Sequence, residues 1–221
     1  MRIVFVRHGH PDYAKDCLTE LGHKYAAAAA ERLMDERPMK IYASTCGRAR
    51  ETAEHVAAPH KMDIIPLDFM REIGWGSKNG EPILKGGQPW CITDDLILRE
   101  KSVVERGWQD LEGFVNNKVT DCVEKVVGGF DRLLAELGYQ REGLYYRVKK
   151  ANPDTVFMVS HGGSSSAAIS HMLNIPLPHF CATMRPKFTA ITVITLSGEV
   201  GSLVTAHVEL MNDARHIEGI E

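Results

Sequence analysis

No CxxC pair and no HExxH motif occurs among the 221 residues, so the spacings that mark a zinc site are missing and no metal is expected. The five cysteines, Cys17, Cys46, Cys91, Cys122 and Cys181, are odd in number and far apart, which fits a reducing compartment rather than a disulfide framework. Net charge is only −3, too small for a global field that would gather nucleic acid or a membrane surface. No apolar run approaches the length of a membrane span. The opening "MRIVFVRHGH" is charged too soon for the apolar region of a signal peptide. A cytoplasmic protein without nucleic-acid or membrane partners is therefore expected. Internal repeats are also missing, and "AAAAA" at 26–30 is simply a strong helix former.

What is present is ordinary in bulk and unusual in detail. Hydrophobic residues make up 44% and charged residues 25%, as in a globular chain of one domain with room for an insertion. Apolar runs at Ile3–Val6, Ile41–Ala43, Ile64–Leu67, Val156–Val159, Ile191–Leu196 and Leu203–Val208 read as strands, several continuous enough to be covered on both faces. Between them, Leu21, Tyr25, Ala28, Ala29 and Leu33 recur at helical steps behind a Thr19 N-cap. Arg48 to Ala57 and Ser164 to Leu173 are further helices. This alternation predicts a three-layer α/β domain over 1–221, its mostly parallel sheet covered by helices on both faces. "SGEVGS" predicts a hairpin joining the last two strands. Residues from about 74 to 150 break the rhythm with a glycine-rich start and a long helical stretch around Ser102–Leu137. They are expected to form a helical cap insertion over one end of the sheet.

Four polar groups follow the carboxyl ends of four predicted strands. Arg7 and His8 end the first, Arg48 opens a helix after the second, Glu72 follows the third, and His161 with Gly162 and Gly163 follows the fourth. That edge of an open α/β sheet is where ligand crevices form. Guanidinium forks match phosphoryl oxygens, and N–H groups at a helix start attract anions. A neutral imidazole attacks phosphorus, and a carboxylic acid protonates the leaving oxygen. The set predicts phosphoryl transfer through a phosphohistidine on a small phosphoester.

"RHG" at 7–9, "GRARETA" at 47–53, Glu72 and "SHGG" at 160–163, in that order, resemble the histidine phosphatase superfamily with its phosphoglycerate mutase-like fold. The resemblance implies that His8 is the phosphorylated nucleophile, that Arg7, Arg48 and His161 form the phosphate pocket, and that Glu72 donates the proton, while Gly162 by its lack of a side chain lets the backbone approach the phosphate. It implies an enzyme of the histidine acid phosphatase type that needs no metal or organic cofactor. Ala14 stands where the cofactor-dependent mutases of the family carry Asn, and "IGWGSKNG" follows Glu72 in place of an "ERHYG"-like segment. A phosphatase is thus preferred to a phosphomutase, and a non-catalytic phospho-ligand binding protein ranks third. His10 stands where the family usually has Glu, Gln or another polar residue.

Each residue also has a plainer reading. Glu72 could pair with Arg71, leaving Asp68 or Glu81 as the acid. Arg50 reads as a solvated helix residue. Trp75, Trp90 and Trp108 read as packing residues before pocket residues, and Tyr145, Tyr146 and Arg147 as rim contacts without independent support. "SHGGSSS" is not the G-x-S-x-G elbow of a serine hydrolase.

Overall fold

The computed structural model describes residues 1–221. Strand β1 (Arg2–Arg7) is the apolar run Ile3–Val6 with an arginine at each end, and those four apolar residues are buried. β2 (Pro11–Asp12) and β3 (Cys17–Leu18) pair as a small hairpin beyond it. Helix α1 (Glu20–Leu33) starts where the Thr19 hydroxyl accepts a hydrogen bond from the Gly22 N–H at 3.1 Å, satisfying a donor the helix cannot pair itself. Ala26, Ala29, Ala30 and Leu33 form its buried face. β4 (Pro38–Ser44), α2 (Gly47–Ala57) and β5 (Ile64–Leu67) continue the alternation. An irregular stretch leads to α3 (Pro89–Leu98) and α4 (Lys118–Glu136), then to β6 (Tyr139–Glu142) and β7 (Tyr145–Val148). β8 (Thr155–Ser160), α5 (Gly162–Met172), α6 (Leu177–Thr183), β9 (Ile191–Thr195), β10 (Leu203–Val204) and β11 (His207–Asp213) complete the chain.

Six strands pair in the order β11-β9-β1-β8-β4-β5. β1, β8, β4 and β5 are parallel, while β9 is antiparallel to both β1 and β11. On one face, Leu33 of α1 and Ala53 and Val56 of α2 pack with Val4, Val6, Ile41 and Phe157. On the other, Phe130 and Leu134 of α4 and Ala168 and Met172 of α5 pack with Ile3, Phe5, Tyr42 and Met158. The architecture is the three-layer α/β arrangement read from the sequence. β1 leads through α1 to β4, on the far side of β8, whereas β8 leads through α5 and α6 to β9, on the far side of β1. These connections diverge, which makes the carboxyl ends of the adjacent strands β1 and β8 the edge where such sheets bind ligands.

The structure corrects several local expectations. "SGEVGS" does not join two strands of the main sheet: β9 pairs with β11, and β10 pairs with β7 in a separate sheet of order β10-β7-β6. The apolar run Leu203–Val208 is divided between two sheets because its partners lie far away in sequence, and no turn signal records them. The helix expected around Ser102–Leu137 is confined to α4. Gly113 and Asn116 take φ of +85° and +61°, which breaks any earlier helix, and the Asn117 side chain caps α4 by accepting from the Val119 N–H at 3.0 Å. The hairpin β6–β7 was not foreseen. α4 is also more than a cover for the sheet end, because Phe130 lies 5.8 Å from the Phe5 ring in the main core. All five cysteines are unpaired. No helix is long and apolar enough to cross a membrane.

Candidate active site

Each strand end delivers one part of a common pocket. β1 stops at Arg7 and hands His8 to the crevice, β4 ends on Ser44, α2 presents Arg48 from its first turn, and β8 ends beside His161, the N-cap residue of α5. Glu72 arrives after a short helical turn, Asp68–Met70, that follows β5. His8 and His161 are fully buried, with ring centroids 5.1 Å apart and planes at 62°. One ring nitrogen of each and a Glu72 carboxylate oxygen lie within 4.8 Å of one another.

The hydrogen bonds fix the state of His8. Its Nδ1 lies 2.7 Å from the Gly9 carbonyl oxygen. A carbonyl only accepts, so Nδ1 carries the proton and Nε2 carries the lone pair. Arg48 Nε donates toward that Nε2 from 3.4 Å. Burial, reinforced by Arg7 and Arg48, pushes the imidazole down to about 3, against the Gly9 bond. His8 is therefore held neutral, with its Nε2 lone pair facing the Arg48 N–H. His161 is pushed down to about 2, first by burial, then by His8 and the arginines. Its Nε2 meets Ser44 Oγ at 2.8 Å, and its Nδ1 is buried without a partner.

The two guanidiniums are held from behind. Arg7 donates through Nη1 to the Pro186 carbonyl and lies 4.2 Å above the Phe188 ring centroid. Its Nε is buried without a partner. Arg48 is ion-paired through Nη1 with Asp16. A Cβ at Gly162 would stand 3.4 Å from Arg7 Nε, an ordinary contact that places the start of α5 against the guanidinium. Two arginines beside a neutral imidazole, one of them with a buried N–H to spare, suit a tetrahedral oxyanion.

The sequence predicts that the N–H groups at the start of α5 are open to an external anion, but those of Gly163 and Ser164 donate to Glu72 Oε1 at 3.0 and 3.2 Å. The helix N-terminus holds the protein's own carboxyl, leaving the Gly162 N–H as the one not so engaged. Ile73 N–H donates to the same oxygen at 3.0 Å. Burial pushes the Glu72 carboxyl up from its ordinary value, against the Ile73 and Ser164 N–H groups and Arg7. With Oε1 anchored, Oε2 carries no bond within the protein.

Of the alternative acids, Asp68 accepts from Thr45 Oγ1 at 3.1 Å, and Glu81 lies exposed in the loop beyond. Arg71 donates to Thr45 and does not pair with Glu72. Arg50 is exposed. His10 Nδ1 meets Thr19 Oγ1 at 2.9 Å and its ring stacks edgewise on Phe188, so it braces the start of α1. Trp108 packs on Phe114 in the core, Tyr146 is buried, and Arg147 pairs with Glu142. Sequence reasoning missed Ser44, Asp16 and the Pro186–Phe188 segment. Only Ser44 had a signal, as the last residue of a strand at the ligand edge.

His8, Glu72 and His161 are close enough to be considered as ligands for a cation. The chemistry opposes it: the one lone pair of His8 faces the Arg48 N–H, and two arginines flank the ring. A divalent cation would be repelled where an anion is attracted.

The histidine phosphatase superfamily (branch 1) matches this chain over residues 3–87. No curated protein matches it. Among solved structures, YhfR of Bacillus stearothermophilus is 25% identical with a TM-score of 0.65, covering 98% of this chain and 99% of that one. Mycobacterial glucosyl-3-phosphoglycerate phosphatase with inorganic phosphate is 22% identical with a TM-score of 0.65, over 98% and 99%. The phosphoserine phosphatase of Entamoeba histolytica with 3-phosphoglyceric acid is 18% identical with a TM-score of 0.66, over 98% of each chain.

Proposed function

We propose, from the premise that this chain belongs by fold and by its N-terminal sequence to the histidine phosphatase superfamily, that it hydrolyses small phosphomonoesters through a phosphohistidine on His8. His8 Nε2 attacks phosphorus in line with the leaving oxygen. As the N–P bond forms and the P–O bond breaks, protonated Glu72 gives its proton to the leaving oxygen, and the alcohol departs. Nδ1–H stays bonded to the Gly9 carbonyl and supports the charge gained by the ring. Arg7, Arg48, His161 and the Gly162 N–H bind the phosphoryl oxygens throughout. Glu72, now a carboxylate, takes a proton from water, which attacks phosphorus. The P–N bond breaks and its electrons return to Nε2. Positioned positive charge supplies most of the acceleration in such a transfer.

One observation carries this reading: Arg7 Nε and His161 Nδ1, two buried polar atoms without partners, accompany a buried imidazole whose tautomer leaves Nε2 unprotonated. Small phosphoesters as substrates are in keeping with relatives of this fold named for phosphoserine and glucosyl-3-phosphoglycerate. An acid-phosphatase pH response follows if Glu72 must enter the cycle protonated. The test is product analysis in EDTA. Free phosphate released from a panel of small phosphoesters supports hydrolysis. Isomerised phosphoglycerate that needs a bisphosphate primer would make the protein a mutase, and binding of phosphate with no turnover by wild type above that of His8→Ala would make it a binding protein.

A further inference from the structure

One arm of the Arg48 fork is already occupied. Its Nη1 is ion-paired with Asp16 Oδ1, while Asp16 Oδ2 accepts the Gly47 N–H at 2.8 Å. One carboxylate thus takes two donors at the start of α2, a place suited to an anion, directly behind the nitrogen that faces His8. This contact is built. Asp16 takes φ +53° in the turn between β2 and β3, where Asp12 Oδ1 accepts from the Ala14 and Lys15 N–H groups at 3.0 and 3.2 Å. The turn presses so close to α2 that a Cβ on Gly47 would stand 2.0 Å from the Asp16 carbonyl oxygen. The same turn lays the Tyr13 ring 5.4 Å from the Arg48 guanidinium. The Asp16 side chain is nevertheless 45% exposed, so its outer face meets solvent.

We propose that the Asp16 carboxylate is a resident counter-anion of the phosphate pocket, which a phosphoryl group works against when it binds and which helps to expel product phosphate from Arg48. The inference rests on the phosphatase reading for its role in turnover, but not for its effect on anion affinity. Asp16 opposes the arginines at His8, which places its charge within range of the reacting phosphorus. Its negative charge repels a phosphate dianion, and its two accepted bonds withhold donors the dianion would use. Such a group weakens substrate and product binding alike, and faster release of product then favours turnover.

The test is calorimetric binding of inorganic phosphate to wild type, Asp16→Ala and Asp16→Asn. It needs no turnover, so it fails or succeeds independently of phosphohistidine formation, which trapping on His8 measures separately. Both variants are expected to bind phosphate about tenfold more tightly, the size of one charge-assisted contact regained. In steady state, KM and the phosphate inhibition constant should fall together while kcat does not rise. A purely structural role would loosen both constants. Asp16→Asn keeps the shape of the turn and decides the matter. Unchanged or weaker phosphate binding in that variant overturns the proposal.

Discussion

His8 and Glu72 illustrate how burial assigns opposite roles to two titrating side chains. Burial drives the imidazole down to about 3 and the carboxyl upward, which favours the neutral form of both side chains. Because a raised carboxyl pKa keeps the proton to higher pH, kcat/KM should hold on the acid side and decline as pH rises through the Glu72 value. A profile that rises through that range would contradict the role. Glu72→Gln should cost about 10²-fold or more with alkyl phosphates and much less with p-nitrophenyl phosphate, whose leaving group needs no proton. Equal losses on both would remove Glu72 as the acid. At this scale much was legible in the sequence: Arg7, His8, Arg48 and His161 each sit at or just after a strand end. Asp16 was not, because an aspartate in a polar turn carries no mark of the arginine it meets.

Helix α5 ties Glu72 to the histidine pair. Its first turn donates two N–H groups to Glu72, and a Cβ on Gly163 would come within 2.5 Å of Glu72 Oε1 and 2.4 Å of Ile73 Cγ1. Gly163→Ala should therefore fold but shift the acid, with a loss of up to about 10²-fold for a displacement near 1 Å, concentrated on poor leaving groups. Wild-type kcat on alkyl phosphates in this variant would show that the close approach is dispensable. The elements that frame the site were readable from continuous apolar runs and helical spacing. The hairpin β6–β7 and the partner of β10 were not, since strand pairing across distant segments leaves no local pattern.

For the whole molecule, two buried neutral imidazoles should make stability strongly pH-dependent. Unfolded, His8 and His161 accept protons below their ordinary 6.5; folded, they refuse them until about 3 and about 2. The unfolded state binds more protons in that window, so stability present above 6.5 is lost as pH falls through it, by up to ~1.4 kcal/mol per pH unit for each ring. Glu72 acts with the opposite sign between its ordinary 4.5 and its raised value, where the folded state keeps a proton the unfolded chain has released. Urea titrations at pH 5 and 7 should show a marked loss of stability toward pH 5, reduced in His8→Asn. An identical pH slope in that variant would contradict the buried neutral state of His8. The three-layer class was legible in the sequence because strands and helices alternate. The two-sheet division of the C-terminal third was decided by tertiary contacts.

The central claim concerns one nitrogen, His8 Nε2. Rapid alkaline quench of the enzyme with a phosphate-labelled phosphoester, followed by peptide mapping, should find acid-labile, alkali-stable phosphate on His8 and none in His8→Ala. Active turnover with no trapped label, label that survives acid, or label that persists in His8→Ala would contradict the account.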